Sequence, residues 1–297
     1  MPNSKNVAVL INSCDSYTDV LDYFFFFFKK FWNCPYKVYL NMENTKYHNR
    51  NFDFKTFSFG KTTWSNRLIK CLNAIKEEYV LMFLDDFFLL DFVNQEHFDK
   101  CLTLMEQDKN IGYIMFEPHF YNEFNLPPYN ELLRIRNKYE DFLATTQIAL
   151  WKKSYLLQVL RKRENPWDFE IYGSFRMRHY KQKCFVLNKD APPIFPMILR
   201  GENSAGIISG QWQPGNVQLF EKYNLHCDFS KRGIVNLEQR YKPRKSVKQK
   251  YKELSVFKKI FLPFYDLKLF KSYYRPIIKK YINLIDLRGR LKNKLIK

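Results

Sequence analysis

Two adjacent carboxylates, Asp85 and Asp86, directly follow the apolar run YVLMFL at positions 79–84. A carboxylate at the end of a buried strand is costly unless it meets a cation or a hydrogen-bond donor. Mg²⁺ and Mn²⁺ prefer carboxylate oxygens and bind phosphate oxygens beside them. The pair therefore indicates a site for a metal-bound diphosphate, although an aspartate that caps the following turn gives the same pattern.

The segments around this pair alternate between two apolar periodicities. Short apolar runs predict strands at 6–12, 36–41, 79–84 and 111–116. Helical spacing predicts helices at 18–32, 64–78, 94–107 and 152–162, and Asn165-Pro166 is typical of another helix start. This alternation predicts an α/β domain with a largely parallel sheet, whose ligands bind beyond the carboxyl ends of the strands.

Charge divides the 297-residue chain into two regions. Residues 241–297 contain 18 basic and 3 acidic residues, so they carry +15 of the formal net charge of +19. The remaining +4 is spread over residues 1–240, which makes that part nearly neutral. We therefore predict a catalytic domain at 1–240 and a basic helical tail at 241–297, and nucleic acid is disfavoured as a partner of the domain.

The tail has the pattern of amphipathic helices. Ile278, Ile282 and Ile285 share one helical face, and Lys279 lies on another. Such helices lie in an anionic membrane surface, with lysines at the lipid headgroups. We expect the tail to bind a membrane surface, while a solvated basic extension, a segment that docks on a partner and a nucleic-acid-binding segment stay open.

The cysteines and the apolar runs bear on the compartment. Six cysteines include no CxxC pair and no histidine at ligand spacing, so a zinc site is disfavoured. No secretory signal and no apolar stretch of about 18 residues is visible. We therefore expect a cytoplasmic protein that is peripheral at the inner face of the cell membrane.

A series of motifs spans residues 6–235: INSCDSY, YFFFFFKKFW, PYKVYLN, WSNRLIKCL, LDDF, QIALWKKSYL, NPWDFE and SGQW. Their order resembles GT-A-fold glycosyltransferases of bacterial surface polysaccharide, capsule and lipopolysaccharide biosynthesis, in a family-2-like branch. The resemblance implies a Rossmann-like nucleotide-diphospho-sugar transferase fold, with a mixed, mostly parallel sheet flanked by helices. It also implies a nucleotide-sugar donor and a saccharide or lipid-linked acceptor.

The resemblance further implies roles for individual residues. Asp85 and Asp86 occupy the place of the DXD motif, and Asp86 would hold a divalent Mg²⁺ or Mn²⁺. The chain departs from that motif because Phe87 stands at its last position, which leaves metal dependence open. A guanidinium matches phosphate oxygens, so an arginine in the loop at 191–215 adds a further candidate. The expected donor-binding residues are Ser13, Asp15, Glu43, Arg67, Asp85, Asp86 and Arg200.

The segment NPWDFE resembles the one that carries the catalytic base in inverting members of the family. A carboxylate there would take the proton of the acceptor hydroxyl. Asp168 has the spacing of a helix-capping residue relative to Asn165, so Glu170 is preferred and Asp168 stays open. Trp167 and Trp212 are candidates to stack on the acceptor sugar, with core packing as the alternative.

Two other functions fit parts of the sequence. A metal-dependent nucleotidyltransferase would also use carboxylates at a sheet edge, but no glycine-rich phosphate loop follows the first strand. A non-catalytic basic protein that binds membranes or nucleic acid would explain the tail, but it leaves the acidic pair unexplained. We therefore predict a glycosyltransferase of the hexosyltransferase type.

Overall fold

The fold is that of a computed structural model, which describes residues 6–117, 127–138, 140, 142–197 and 206–237. The described residues up to Val235 form one compact unit around an eight-stranded sheet. Its strands are β1 Val7–Asn12, β2 Lys37–Met42, β3 Lys55–Ser58, β4 Tyr79–Leu84, β5 Ile111–Met115, β6 Leu133–Ile135, β7 Ala149–Lys152 and β8 Lys183–Leu187. They lie in the order β3-β2-β1-β4-β7-β5-β8-β6.

Most of these strands run in one direction. The pairs β1–β2, β1–β4, β2–β3 and β5–β8 are parallel. Strand β7 is antiparallel to both of its neighbours, and β6 is antiparallel to β8. The predicted α/β class, with a mixed and mostly parallel sheet flanked by helices, is confirmed. The strands predicted at 6–12, 36–41, 79–84 and 111–116 correspond to β1, β2, β4 and β5.

Helices cover the sheet, and a small hairpin lies outside it. The hairpin pairs β9 Ile207–Ile208 with β10 Gln211–Trp212. A π-helical turn at Phe169–Gly173 joins two of the short helices. The helices are α1 Thr18–Phe31, α2 Trp64–Ala74, α3 Gln95–Gln107, α4 Lys153–Val159, α5 Pro166–Asp168, α6 Ser174–Met177 and α7 Gly215–Lys222.

The core has two layers, one on each face of the sheet. Val9 and Ile11 of β1 belong to one buried cluster, which includes the phenylalanines of α1. Ala8 and Leu10 belong to the other cluster, which includes apolar residues of α2. Because both faces are covered, β1 is buried along its whole length, which explains its continuous apolar sequence.

Helix α1 buries an unusually aromatic face. Phe24, Phe25, Phe27 and Phe28 are at most 1% exposed, whereas Phe26 points outward and is 36% exposed. The phenylalanine run therefore follows helical periodicity and supplies core packing, as its sequence predicts. The helix predicted at 18–32 is confirmed.

Two predicted helices end earlier in the structure than in the sequence analysis. The helix expected at 64–78 ends at Ala74, because Ile75 is extended and buried. Lys153 Nζ donates to the carbonyl of Ile75 over 2.6 Å, which compensates the lost helical bond. The helix expected at 152–162 is α4, which ends at Val159. Tertiary contacts thus outweigh helical periodicity at these ends.

The predicted tail at 241–297 and its boundary lie outside the described residues, as does Arg200. Within the described ranges, no helix combines the length and the apolar character needed to cross a membrane. The membrane-surface role of the tail therefore stays a prediction.

Gly112 of β5 lies against the core layer that includes α2 and Tyr155, and this layer is tightly packed. A Cβ at this position would lie 2.3 Å from the ring of Tyr155 and 3.0 Å from Cβ of Gln182. Overpacking a buried site costs about 1–3 kcal/mol, so Gly112→Ala should lower the free energy of unfolding by that amount in denaturant titrations. Adding Tyr155→Leu should relieve part of the loss, and strictly additive effects would contradict the proposed clash.

Candidate active site

Polar residues meet beyond the carboxyl ends of β1, β2 and β4. Ser13 follows β1, Glu43 follows β2, and Asp85 and Asp86 follow β4. The three strands are parallel neighbours, and β1 lies between the other two. Their carboxyl ends therefore form one edge of the sheet, as the sequence predicts. We call this cluster, together with Asp15 and Arg67, the acidic edge.

A chain of contacts joins the members of the acidic edge. The hydroxyl of Ser13 donates to Asp85 Oδ2 over 2.5 Å. Arg67 Nη2 donates to the carbonyl of Ser13 over 3.2 Å, and Arg67 Nη1 lies 2.7 Å from Glu43 Oε1. Arg67 is placed in the first turn of α2, where Thr63 caps the helix. The structure thus brings Ser13, Glu43, Arg67 and the aspartate pair together.

Asp15 belongs to the same cluster, but it binds the protein's own backbone. Its carboxylate accepts hydrogen bonds from the amides of Asn44 and Thr45, each at 3.1 Å. Burial raises the pKa of Asp15, but the hydrogen bonds from these two residues outweigh it, so the net pKa is lowered. Asp15 therefore fixes the loop after β2, and its contact with a donor stays a prediction.

Asp85 and Asp86 carry the strongest electrostatic perturbation of the edge. They are only 6% and 8% exposed. Burial raises the pKa of both carboxyls, and the proximity of Asp86 raises that of Asp85 further. The pKa of Asp86 is raised to about 6. Perturbed carboxyls of this kind are typical of functional sites, where burial and neighbouring like charges shift pKa values.

Residues 206–208 close one side of the pair. The amide of Gly206 donates to the carbonyl of Asp86 over 2.8 Å, and the amide of Ile207 lies 3.4 Å from Asp86 Oδ2. A Cβ on Gly206 would lie 2.6 Å from the ring of Phe88 and 3.0 Å from the Asp86 carbonyl. The backbone therefore approaches the acidic pair at a distance that glycine permits.

Sequence reasoning missed Tyr17 and Arg232. The Arg232 guanidinium stacks 4.5 Å from the centroid of the Tyr17 ring and donates to Asp19 Oδ2 over 2.7 Å. Burial raises the pKa of Tyr17, and Asp86 and Asp85 raise it further, whereas the Arg232 charge opposes these shifts at Tyr17 and Asp85. Arg232 thus supplies a positive charge near the acidic pair.

Glu170, the preferred base, lies in the π-helical turn and is partly buried. Its Oε1 accepts hydrogen bonds from the amide and the hydroxyl of Thr146, at 2.9 and 2.8 Å. Thr146 precedes β7, whose first residue, Ala149, pairs with Met82 near the carboxyl end of β4. Because β7 runs antiparallel to β4, the residues before it lie at the same sheet edge as Asp85. Burial raises the pKa of Glu170, and the Thr146 bonds oppose this shift.

The second base candidate, Asp168, has a different role in the structure. Its Oδ2 accepts the Asn165 amide at 3.3 Å, and Asn165 Oδ1 accepts the Asp168 amide at 2.9 Å. These reciprocal bonds form a capping box at the start of α5. The capping spacing expected from the sequence is therefore present, and the cap occupies one oxygen of the Asp168 carboxylate.

The two candidate acceptor tryptophans have opposite environments. Trp167 is 69% exposed, so its ring is open to a ligand. Trp212 is 1% exposed and packs against Tyr23, Phe220 and Phe229 at centroid distances of 5.5–5.9 Å. The prediction that Trp212 stacks on an acceptor is corrected on this ground, because its ring lies in the core.

Several buried polar atoms near the acidic edge lack a hydrogen-bond partner in the described part of the chain. They include Asn41 Oδ1 beside Ser13, Arg67 Nε, and Gln147 Oε1 next to Thr146. Buried polar groups are normally paired, so such atoms suggest a ligand or ordered water at this edge.

The carboxylates of the acidic edge can bind a divalent cation only if a ligand supplies further oxygen atoms. Within the described residues, no group of three His, Cys, Asp or Glu side chains could hold a metal. The buried oxygens of Asp85 and Asp86 nevertheless suit Mg²⁺, which is usually bound by one or two carboxylates together with substrate phosphates and water. The two aspartates thus fit a cation that arrives with a diphosphate.

No protein-family model and no curated protein matches the chain. Similar solved structures include S. aureus TarS 1-349 in complex with UDP, at 12% identity and a TM-score of 0.44, covering 62% of this chain and 58% of that one. A cytidylyltransferase from Leptospira borgpetersenii has 12% identity and a TM-score of 0.41, with 63% and 77% covered. A CMP:2-keto-3-deoxy-manno-octonic acid synthetase complexed with CTP has 8% identity and a TM-score of 0.43, with 74% and 98% covered. The chain thus spans little more than half of the TarS fragment.

The acidic pair should destabilise the ligand-free protein at neutral and alkaline pH. The pKa of Asp86 is about 6 in the folded state and 3.8 in the unfolded state, so its favourable contribution is complete below about pH 4 and lost as the pH rises through 6. Asp86→Asn should therefore raise the free energy of unfolding by roughly 2–3 kcal/mol at pH 8, and by little at pH 4.

Asp15→Asn is the matched control for this measurement. Because the pKa of Asp15 is lowered on folding, its loss should reduce stability at pH 8, which is the opposite sign. Chemical denaturation of both variants at pH 4 and pH 8 makes the comparison. An Asp86→Asn variant that is less stable than the parent at pH 8 would contradict the electrostatic account.

Proposed function

We propose that this protein is a nucleotide-sugar-dependent glycosyltransferase, with the acidic edge as its donor site and Glu170 as its catalytic base. The observation that carries the proposal is the pairing of two separate carboxylate sites at one end of the sheet. Asp85 and Asp86 form one site, and Glu170 on Thr146 forms the other. An inverting sugar transfer uses both functions, because a diphosphate must be held while a hydroxyl group loses a proton.

The donor side has groups for each part of a nucleoside diphosphate. Arg67 and Glu43 form a largely buried ion pair at the ends of β1 and β2, where Glu43 would contact the base or ribose and Arg67 would reach a phosphate. Asp86, together with Asp85, would hold a Mg²⁺ or Mn²⁺ ion, whose chemistry is to neutralise the charge on the leaving diphosphate. Arg200, outside the described residues, is proposed as a further phosphate contact.

The acceptor side depends on Glu170. In the proposed inverting reaction, the acceptor oxygen forms a bond to the anomeric carbon while the bond to the diphosphate oxygen breaks. The acceptor proton moves to Glu170 Oε2, because Oε1 already accepts both Thr146 hydrogen bonds. Burial raises the pKa of Glu170, which strengthens it as a base near neutral pH.

The proposal extends to the class of acceptor and to the place of the protein in the cell. We propose a saccharide or lipid-linked acceptor from surface polysaccharide assembly, which Trp167 would contact through its exposed ring. The basic tail at 241–297 would keep the protein at an anionic membrane surface, near such an acceptor. These assignments follow from the sequence motifs and the charge distribution of the chain.

Donor binding is tested by thermal unfolding with UDP, CDP, GDP and ADP, each with and without Mn²⁺. A ligand at 100 times its Kd stabilises the folded state by about 2.7 kcal/mol, which corresponds to several degrees in Tm. We expect one nucleotide to raise Tm, and Asp86→Asn to reduce that rise relative to its own ligand-free Tm. No rise with any nucleotide at millimolar concentration would contradict a donor site.

The base is tested by turnover of the sugar nucleotide that corresponds to the stabilising diphosphate. Glu170→Gln keeps the side-chain shape but cannot take the proton, so turnover should fall by about 10²- to 10⁴-fold while nucleotide binding persists. Asp168→Asn, the competing candidate, should retain turnover. Full activity of Glu170→Gln together with release of pyrophosphate from a nucleoside triphosphate would indicate a nucleotidyltransferase instead.

A further inference from the structure

A buried ionic cluster lies beside the segment that holds Glu170. Glu140 accepts hydrogen bonds from Arg134 Nη1 and Arg136 Nε, each at 2.8 Å. The side chains of Arg136 and Glu140 are 0% exposed. Burying charged groups costs free energy that their mutual attraction barely offsets, so such a cluster is weak evidence for stability alone. The hydrogen bonds from this cluster to the backbone before Thr146 indicate a second role.

The cluster binds the backbone just before Thr146. Arg136 Nη1 donates to the carbonyl of Leu143 over 3.2 Å and also to the hydroxyl of Tyr113. That hydroxyl in turn donates to the carbonyl of Leu143 over 2.5 Å. Tyr113 lies in β5 and its ring stacks on Trp151 of β7, so the sheet itself fixes this anchor. Leu143 is therefore held by two donors from a rigid part of the core.

The next three residues carry this constraint to Glu170. The amide of Ala144 donates to Ser174 Oγ over 2.9 Å, and the Ser174 hydroxyl donates to the carbonyl of Glu170. Thr146 binds the Glu170 carboxylate through its amide and its hydroxyl. Segment 143–146 thus contacts Glu170 at both its backbone and its carboxylate. The π-helical turn packs closely here, since a Cβ on Gly173 would lie 2.9 Å from Cβ of Ala144.

We propose that Tyr113, Arg136 and Glu140 are positioning residues, which set the location of the Glu170 carboxylate through segment 143–146. The proposal rests on the role of Glu170 in the proposed function, but the positioning itself is a property of the folded chain. A base must lie within about 0.5 Å of its productive position, so its support must be fixed by packing and hydrogen bonds, which provide rigidity. The cluster supplies that rigidity from β5.

Tyr113→Phe is the sharpest variant, because it removes one hydroxyl and keeps the ring stacked on Trp151. Tyr79→Phe is the matched control. Tyr79 is also fully buried, donates to the carbonyl of Met105 over 3.2 Å and accepts from Lys109 Nζ at 3.4 Å. It begins β4, at the opposite end of the sheet from segment 143–146. Both variants therefore lose one buried tyrosine hydroxyl that donates to a backbone carbonyl, but at opposite ends of the sheet.

Amide hydrogen exchange of the full chain measures how firmly segment 143–146 is held, and it needs no substrate. Tyr113→Phe should speed exchange of the Ala144 and Thr146 amides about tenfold, because one buried hydrogen bond that holds the segment is lost. Tyr79→Phe should leave these amides unchanged. Unchanged exchange at both amides in Tyr113→Phe would overturn the proposal. If that variant fails to fold, Glu140→Gln, which keeps the side-chain shape but removes the charge that pairs with Arg136, is measured for the same increase at both amides.

Turnover separates this proposal from the base assignment. The Thr146 bonds lower the pKa of Glu170, so loosening them should move the acid limb of the pH–rate profile of Tyr113→Phe to higher pH. Tyr79→Phe should keep the parental profile. If Glu170→Gln remains fully active, the base assignment fails regardless of the exchange result. If Glu170→Gln is inactive and Tyr113→Phe has the parental profile, the positioning proposal fails alone.

Discussion

The structure of the candidate site depends on the burial of two adjacent carboxylates at the end of an apolar strand. Asp85 and Asp86 are less than a tenth exposed and directly follow the buried strand β4. Their neighbours reduce the cost of burial without removing it. Ser13 donates a hydroxyl, Ile207 offers an amide, and Arg232 contributes a positive charge. The remaining cost is what a bound cation would relieve.

This constraint draws together parts of the chain that are distant in sequence. Arg232 pairs with Asp19 across 213 positions, and Ile207 meets Asp86 across 121 positions. The acidic pair is therefore surrounded only when the whole unit up to Val235 has folded. Formation of the site and folding of the domain are coupled for that reason.

Sequence patterns predicted the parts of the site that local rules determine. The polar residues after β1, β2 and β4 follow from the location of strand ends, and Asn165 with Asp168 follows from capping chemistry. Arg232 could not be predicted, because a single arginine in a turn gives no local signal of its distant partners. The same holds for Glu140, whose burial depends on two arginines in a stretch that reads as loop. Trp212 was misassigned because an aromatic residue that lines a site and one that packs in a core have the same local sequence.

The position of a bound nucleoside diphosphate is the decisive measurement for the proposed donor site. It can be determined from crystals grown with Mn²⁺ and the nucleotide that stabilises the protein most. We expect the diphosphate to lie beyond the carboxyl ends of β1, β2 and β4, with a metal ion about 2.1 Å from an oxygen of Asp86. A nucleotide bound elsewhere on the protein, with the acidic edge unchanged, would contradict the proposed donor site.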